Sequence, residues 1–108
     1  MITRNFTWAD LPALSDLKNL IHRAGGEPDT LPQDLLKEEL GQPGLRPEVN
    51  CMVVDGSDGP SAFAIVHPEP RIGRAVLEMN VHPDHSGTKL EPLLVQSSLD
   101  RAREQGAT

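Results

Sequence analysis

The stretch that decides the fold is Val81-His82-Pro83-Asp84-His85-Ser86-Gly87-Thr88-Lys89-Leu90-Glu91-Pro92-Leu93-Leu94. An apolar segment, Ala75 to Val81, runs into it as a strand; Leu90 to Gln105 leaves it with helical spacing and stops at Gly106. Between them lies a phosphate-type loop. A strand that feeds a helix through such a loop brings backbone N–H groups and the positive end of the helix dipole to one place, where an anion is stabilised. The same residues support a second outcome. Thr88-x-x-Glu91 is a capping box in which threonine caps the helix and glutamate bonds back to the threonine N–H, and Pro92 is compatible with a first helical turn.

Upstream, Ile2 to Phe6 alternates as a short strand with Ile2, Arg4 and Phe6 on one face, followed by a possible capping box, Thr7-x-x-Asp10. Leu14, Leu17, Leu20, Ile21 and Ala24 then recur at helical spacing, with Asp16, Lys18, Asn19 and Arg23 on the other face and Gly25-Gly26 as a stop. Pro12 restricts where that helix begins. A second, shorter helix starts at Thr30-Leu31-Pro32-Gln33 and carries the stripe Leu31, Leu35, Leu36 and Leu40. Pro43, Gly44 and Pro47 mark a loop. Val49 to Val54 and Ser61 to Val66 are apolar runs joined by Asp55-Gly56-Ser57-Asp58-Gly59-Pro60, which predicts an antiparallel pair. His67 to Arg74 makes the next connection.

With 108 residues the chain fits one domain, 1–108, with a modest core. A hydrophobic share of 37% favours a globular domain over disorder, and ten prolines and nine glycines predict many loops. A formal charge of -6 argues against a nucleic-acid partner, whose phosphates call for a basic patch. The lone Cys51 lies in an apolar run, which predicts a buried reduced thiol. Neither a membrane span nor a secretory signal is present, so the expected location is the cytoplasm.

The order strand, helix, helix, strand, strand, strand, helix, with a strand ending in Val81-His82-Pro83 before an amphipathic helix, resembles the GCN5-related N-acetyltransferases. The resemblance implies an α/β (α+β) fold with a mixed sheet, of which this chain carries the N-terminal half and lacks the C-terminal strand, helix, strand and strand. It implies acetyl-CoA as cosubstrate and direct attack by an unidentified amine, with the enzyme supplying position, a proton acceptor and oxyanion stabilisation. By the same resemblance, the pantetheine arm runs along the backbone from Met79 to Val81, and the pyrophosphate sits over Ser86, Gly87, Thr88 and Lys89. The family's loop follows the pattern Arg/Gln-x-x-Gly-x-Gly/Ala. Here Gly87 alone keeps a loop glycine, and Lys89 and Glu91 bring side chains where close backbone approach favours hydrogen.

Glu78 is the acidic residue inside the strand that would line the cleft, which makes it the candidate proton acceptor. His67, His82 and His85 are further candidates for proton transfer. His82 and His85 flank Asp84 as a metal set would, but the spacing crosses a proline turn and no further ligand is nearby in sequence, so no metal is expected. His22 reads as a surface or boundary residue. Serine-hydrolase elbows, Walker loops and paired cysteines are absent. An alternative is a noncatalytic half-fold. The Ala75 to Val81 strand would then have an unpaired edge that invites a second copy, giving a homodimer.

Overall fold

The computed structural model describes residues 3–27, 30–56, 59–69, 74–85 and 90–104. Strand β1 (Thr3–Asn5) leads through a 3-10 turn (Trp8–Asp10) into helix α1 (Leu11–Ala24). Helices α2 (Gln33–Leu40) and α3 (Pro47–Asn50) precede three consecutive strands, β2 (Cys51–Gly56), β3 (Gly59–Glu69) and β4 (Arg74–Val81). A second 3-10 turn (Pro83–His85) comes before helix α4 (Leu90–Glu104). The strands lie in the order β1-β2-β3-β4, and every neighbouring pair is antiparallel. A mixed sheet needs a strand parallel to β4; among the described residues β4 pairs with β3 alone.

Helices cover both faces of the sheet, so its central strands are buried on both sides and read as continuous apolar runs. Alternation then divides the core in two. Phe6, Cys51, Val53, Phe63 and Ile65 meet Leu11, Leu14 and Leu17 of α1 and Leu36 and Leu40 of α2. On the opposite face, Met52, Val54, Ala62, Ala64 and Val66 meet Leu94 and Ala102 of α4, with Leu77, Met79 and Val81 packed alongside. Cys51 is the expected free, buried thiol, and loss of water around it pushes its pKa up to about 12. At the β2–β3 turn, Gly59 has φ +122°, and a Cβ on Gly56 would lie 2.1 Å from Ser61 Oγ.

Three local differences from the sequence expectation have physical causes. Asn19, expected on the polar face of α1, is buried: Leu31 N–H donates to Asn19 Oδ1 and Asn19 Nδ2 donates to the Leu31 carbonyl, tying α1 to the chain entering α2. Leu20 and Leu35 leave the predicted apolar stripes and are exposed, because α1 and α2 bury narrower faces than their spacing allows. Pro47 to Asn50, expected as loop and strand start, form a single helical turn. Asn50 closes that turn by accepting from Arg46 N–H at 3.0 Å and donating to the Val66 carbonyl at 3.0 Å.

Arg4 joins three parts of this architecture. Its guanidinium donates to both Asp10 oxygens at 2.7 and 2.8 Å, and its Nε donates to Asp55 at 2.6 Å. Asp10 also accepts from Thr7 N–H at 2.8 Å, completing that half of the predicted capping box. The Arg4 hydrogen bonds hold the Asp10 carboxyl down from its ordinary 3.8 to about 2. Its contribution to stability is therefore present above the ordinary value and lost as pH falls through the depressed one. Arg4→Ala should lower the unfolding free energy by about 1 kcal/mol at neutral pH, a figure kept small by solvent screening. In denaturant titrations at a series of pH values, that deficit should shrink as pH falls from the ordinary 3.8 toward about 2.

Candidate functional site

The antiparallel pairing of β3 with β4 sets Glu78 opposite Ile65 and His67 opposite Val76. Ile65 faces α1 and α2, so His67, two residues on, faces the same way, as does Glu78 across the ladder. Helix α2 brings Glu39 to this face and helix α1 brings Lys18. Lys18 Nζ lies 3.2 Å from Glu39 Oε1 and 3.9 Å from Glu78 Oε1, while His67 Nε2 lies 3.8 Å from Glu39 Oε2. Four elements thus converge on one small patch. The ligating atoms of Glu39, His67 and Glu78 fall within 4.8 Å of one another, a set able to hold a cation, and the Lys18 ammonium sits among them.

The chemistry of the patch centres on Glu78. Its carboxyl pKa is raised, first by burial and then by the neighbouring Glu39, against the lowering influence of Lys18 and His67. A carboxylate held this way is a better proton acceptor than one in water. The Lys18 ammonium opposes that rise. Lys18 gives its hydrogen bond to Glu39 and makes only the looser approach to Glu78. Among the described residues, no N–H or hydroxyl donor reaches Glu78 Oε2, which is shielded from solvent.

The other sequence candidates fall in different places. Met79 and Val81 turn their side chains to the α4 face and pack into its core, so a cofactor would meet their backbone only. Ser86, Gly87, Thr88 and Lys89 lie outside the described residues, as does the Glu91 side chain, and with them both the phosphate loop and the capping box. His82 accepts from Asp84 N–H at its Nδ1, and the His82 backbone N–H donates to the Ser61 carbonyl at 2.8 Å. The His85 side chain lies outside the described set. His22 is half-buried, with its Nε2 shielded. Lys18 and Glu39 had no local signal for joining Glu78. Lys18 reads as an ordinary polar-face helix residue and Glu39 carries no signal, while His67, a sequence candidate for proton transfer, is the one histidine of the three candidates that the structure brings to this patch among the described side chains.

Because the folded pKa of Glu78 lies above its ordinary 4.5, its contribution to stability is full below that value and is lost as pH rises through the folded pKa. Glu78→Gln should remove this pH dependence from the unfolding free energy. Followed by carbon NMR of the side-chain carboxyl, Glu78 should titrate at higher pH in Lys18→Met and at lower pH in Glu39→Gln than in the parent. Identical titrations in all three proteins would refute the electrostatic coupling.

No family model matches the sequence, and no curated protein sequence does. Solved structures do. A GCN5-related N-acetyltransferase from Sphaerobacter thermophilus superposes with a TM-score of 0.82 at 26% identity, over 96% of this chain and 32% of its own. A ribosomal-protein-alanine N-acetyltransferase from Brucella melitensis gives 0.74 at 19% identity, over 99% of this chain and 70% of its own. A Salmonella typhimurium protein solved with its cofactor acetyl-CoA gives 0.69 at 20% identity, over 99% and 65%. This chain thus spans about a third of the length of the first neighbour and about two thirds of the others. An antiparallel sheet sandwiched by α1 and α2 on one side and α4 on the other, matched over nearly its whole length, is a partial GCN5-related N-acetyltransferase fold.

Proposed function

We propose that this chain belongs to an N-acetyltransferase that moves the acetyl group of acetyl-CoA to an amine by direct attack, with Glu78 as proton acceptor. The observation that carries the reading is Glu78 itself: a carboxylate of raised pKa at mid-strand on β4, beside an ammonium group that the chain already places there. Bound acetyl-CoA supplies the acetyl group as a thioester activated for attack by an amine. The described residues fit such a ligand in one respect: β4 pairs with β3 alone, so its outer edge offers backbone groups from Met79 to Val81 to an extended arm. Ser86, Gly87, Thr88 and Lys89 are the residues that would hold the diphosphate.

On this reading Glu78 takes a proton from the substrate ammonium, and Lys18 favours the carboxylate form that accepts it. Glu39 holds Lys18 in place and pulls in the opposite direction on Glu78. The test is calorimetric titration with acetyl-CoA, run beside an acetyl-transfer assay over a panel of amines. Glu78→Gln should lower kcat by 100-fold or more, on the order expected for loss of a general base, while leaving acetyl-CoA affinity within about twofold. Failure of the parent protein to bind acetyl-CoA, or an unchanged kcat in the variant, refutes the assignment.

A second reading is an assembly module, in which two copies pair through the Ala75 to Val81 edge and close a two-fold dimer. It draws support from the same open edge and from Val76, which is 46% exposed on β4. Light scattering should then return twice the 11.8 kDa chain mass, and Val76→Lys should return the monomer, since an edge lysine blocks strand pairing. A monomeric parent protein rules it out.

A further inference from the structure

We infer that the row of side chains which β4 turns toward α1, Glu78 followed by Asn80, recognises a primary amine with a carbonyl on the neighbouring carbon, as in an amino-acid amide or the first residue of a peptide. The inference rests on the transferase reading for what happens to that amine, but its observations are separate. Asn80 is 7% exposed, and its Nδ2 is shielded from solvent without a hydrogen-bond partner among the described residues. A buried amide donor left unpaired is destabilising, and such groups in folded proteins call for an explanation. Glu78 Oε2, two residues earlier on the same face, is a shielded acceptor in the same condition.

The two orphans have opposite polarity, and alternate residues of a strand stand about 6.6 Å apart. An α-amino carbonyl group is their complement. Its ammonium donates to Glu78, its carbonyl oxygen accepts from Asn80 Nδ2, and the two ends are three bonds apart. With a hydrogen bond of about 2.9 Å at each end, a fragment of that length bridges the gap. A plain alkylamine satisfies Glu78 and leaves Asn80 unpaired. Lys18 leaves room for either amine: its hydrogen bond goes to Glu39 at 3.2 Å and its approach to Glu78 is 3.9 Å, so a ligand ammonium replaces it at Glu78 without breaking the closer contact, and the selectivity rests on Asn80.

The row continues to His82, which lines a groove of about 260 Å³ with Ala13, Asp16, Leu17 and Leu20 of α1 and Pro60 of β3. Of this row His82 alone borders the mostly apolar groove, with Asn80 and then Glu78 behind it along the same strand face, and that order gives the ligand a direction. The amine lies at Glu78, the carbonyl at Asn80, and the group attached beyond the carbonyl enters the groove.

The experiment uses the whole chain and two probes, alaninamide and isopropylamine, in which a methyl replaces the carboxamide. Nitrogen–proton NMR follows the Asn80 side-chain amide during each titration. Alaninamide should shift that amide and bind about tenfold tighter than isopropylamine, the ratio expected for one added neutral hydrogen bond. In Asn80→Leu the preference should fall to within about threefold, and the variant should melt no lower than the parent, because it removes an unpaired donor. Equal affinity for the two amines with the Asn80 amide unmoved in the parent overturns the inference, whether or not the variant folds. Retention of the preference in a folded Asn80→Leu also overturns it. Acetyl transfer separates the two claims. Transfer to both amines with equal kcat/KM removes this site and leaves the transferase reading intact; alaninamide binding that depends on Asn80, without transfer from acetyl-CoA, does the reverse.

Discussion

The register between β3 and β4 is the constraint on which the site depends. Side chains alternate along β4, so Leu77, Met79 and Val81 turn toward α4 while Glu78 and Asn80 turn toward α1. A slip of one residue would exchange the two sets and move every polar group to the wrong helix. The slip is opposed by apolar packing: Leu77, Met79 and Val81 pack against the core that Leu94 and Ala102 close from α4. The hydrophobic side of the strand chooses the register, and the polar side inherits its position.

The second dependence is on the packing of α1 against α2. Lys18 and Glu39 reach Glu78 because Leu14 and Leu17 of α1 share a core with Leu36 and Leu40 of α2. Buried amides hold the connections: Asn19 bonds the Leu31 backbone, and Asn50 links the turn before β2 to β3. Each satisfies backbone groups that would otherwise be buried without partners. With these elements in place, burial and Glu39 push Glu78 toward its neutral form and Lys18 pulls it back. A proton acceptor benefits from that balance, since full neutralisation would remove the base and full solvation would weaken it. Arg4 plays a comparable part at the far edge of the sheet, where it ties β1 to the start of α1 and to the end of β2.

Apart from the turn at Pro47 to Asn50, the element order is written in local signals. The apolar runs around Val53 and Ile65 show strands buried on both faces, Pro12 and Gly25 bound the first long helix, and Glu78 stands out as an acid inside an apolar strand. These signals are local: each depends on periodicity, on a backbone restriction or on one unexpected residue type, and each can be read within a few positions. The helical turn at Pro47 to Asn50 was not legible, because the carbonyl that anchors Asn50 belongs to Val66. Burial of Asn19 was hidden for the same reason, its partner being the Leu31 backbone.

The residues that surround Glu78 are set by packing between distant elements. Lys18, Glu39 and His67 come from three elements, and nothing in the spacing of a lysine on a helix or a histidine at a strand end specifies a carboxylate neighbour. Their meeting is set by strand register and helix packing, which are properties of the assembled core. That Asn80 Nδ2 and Glu78 Oε2 lack partners among the described residues was likewise beyond the sequence, because an unsatisfied group is defined by everything that folds around it.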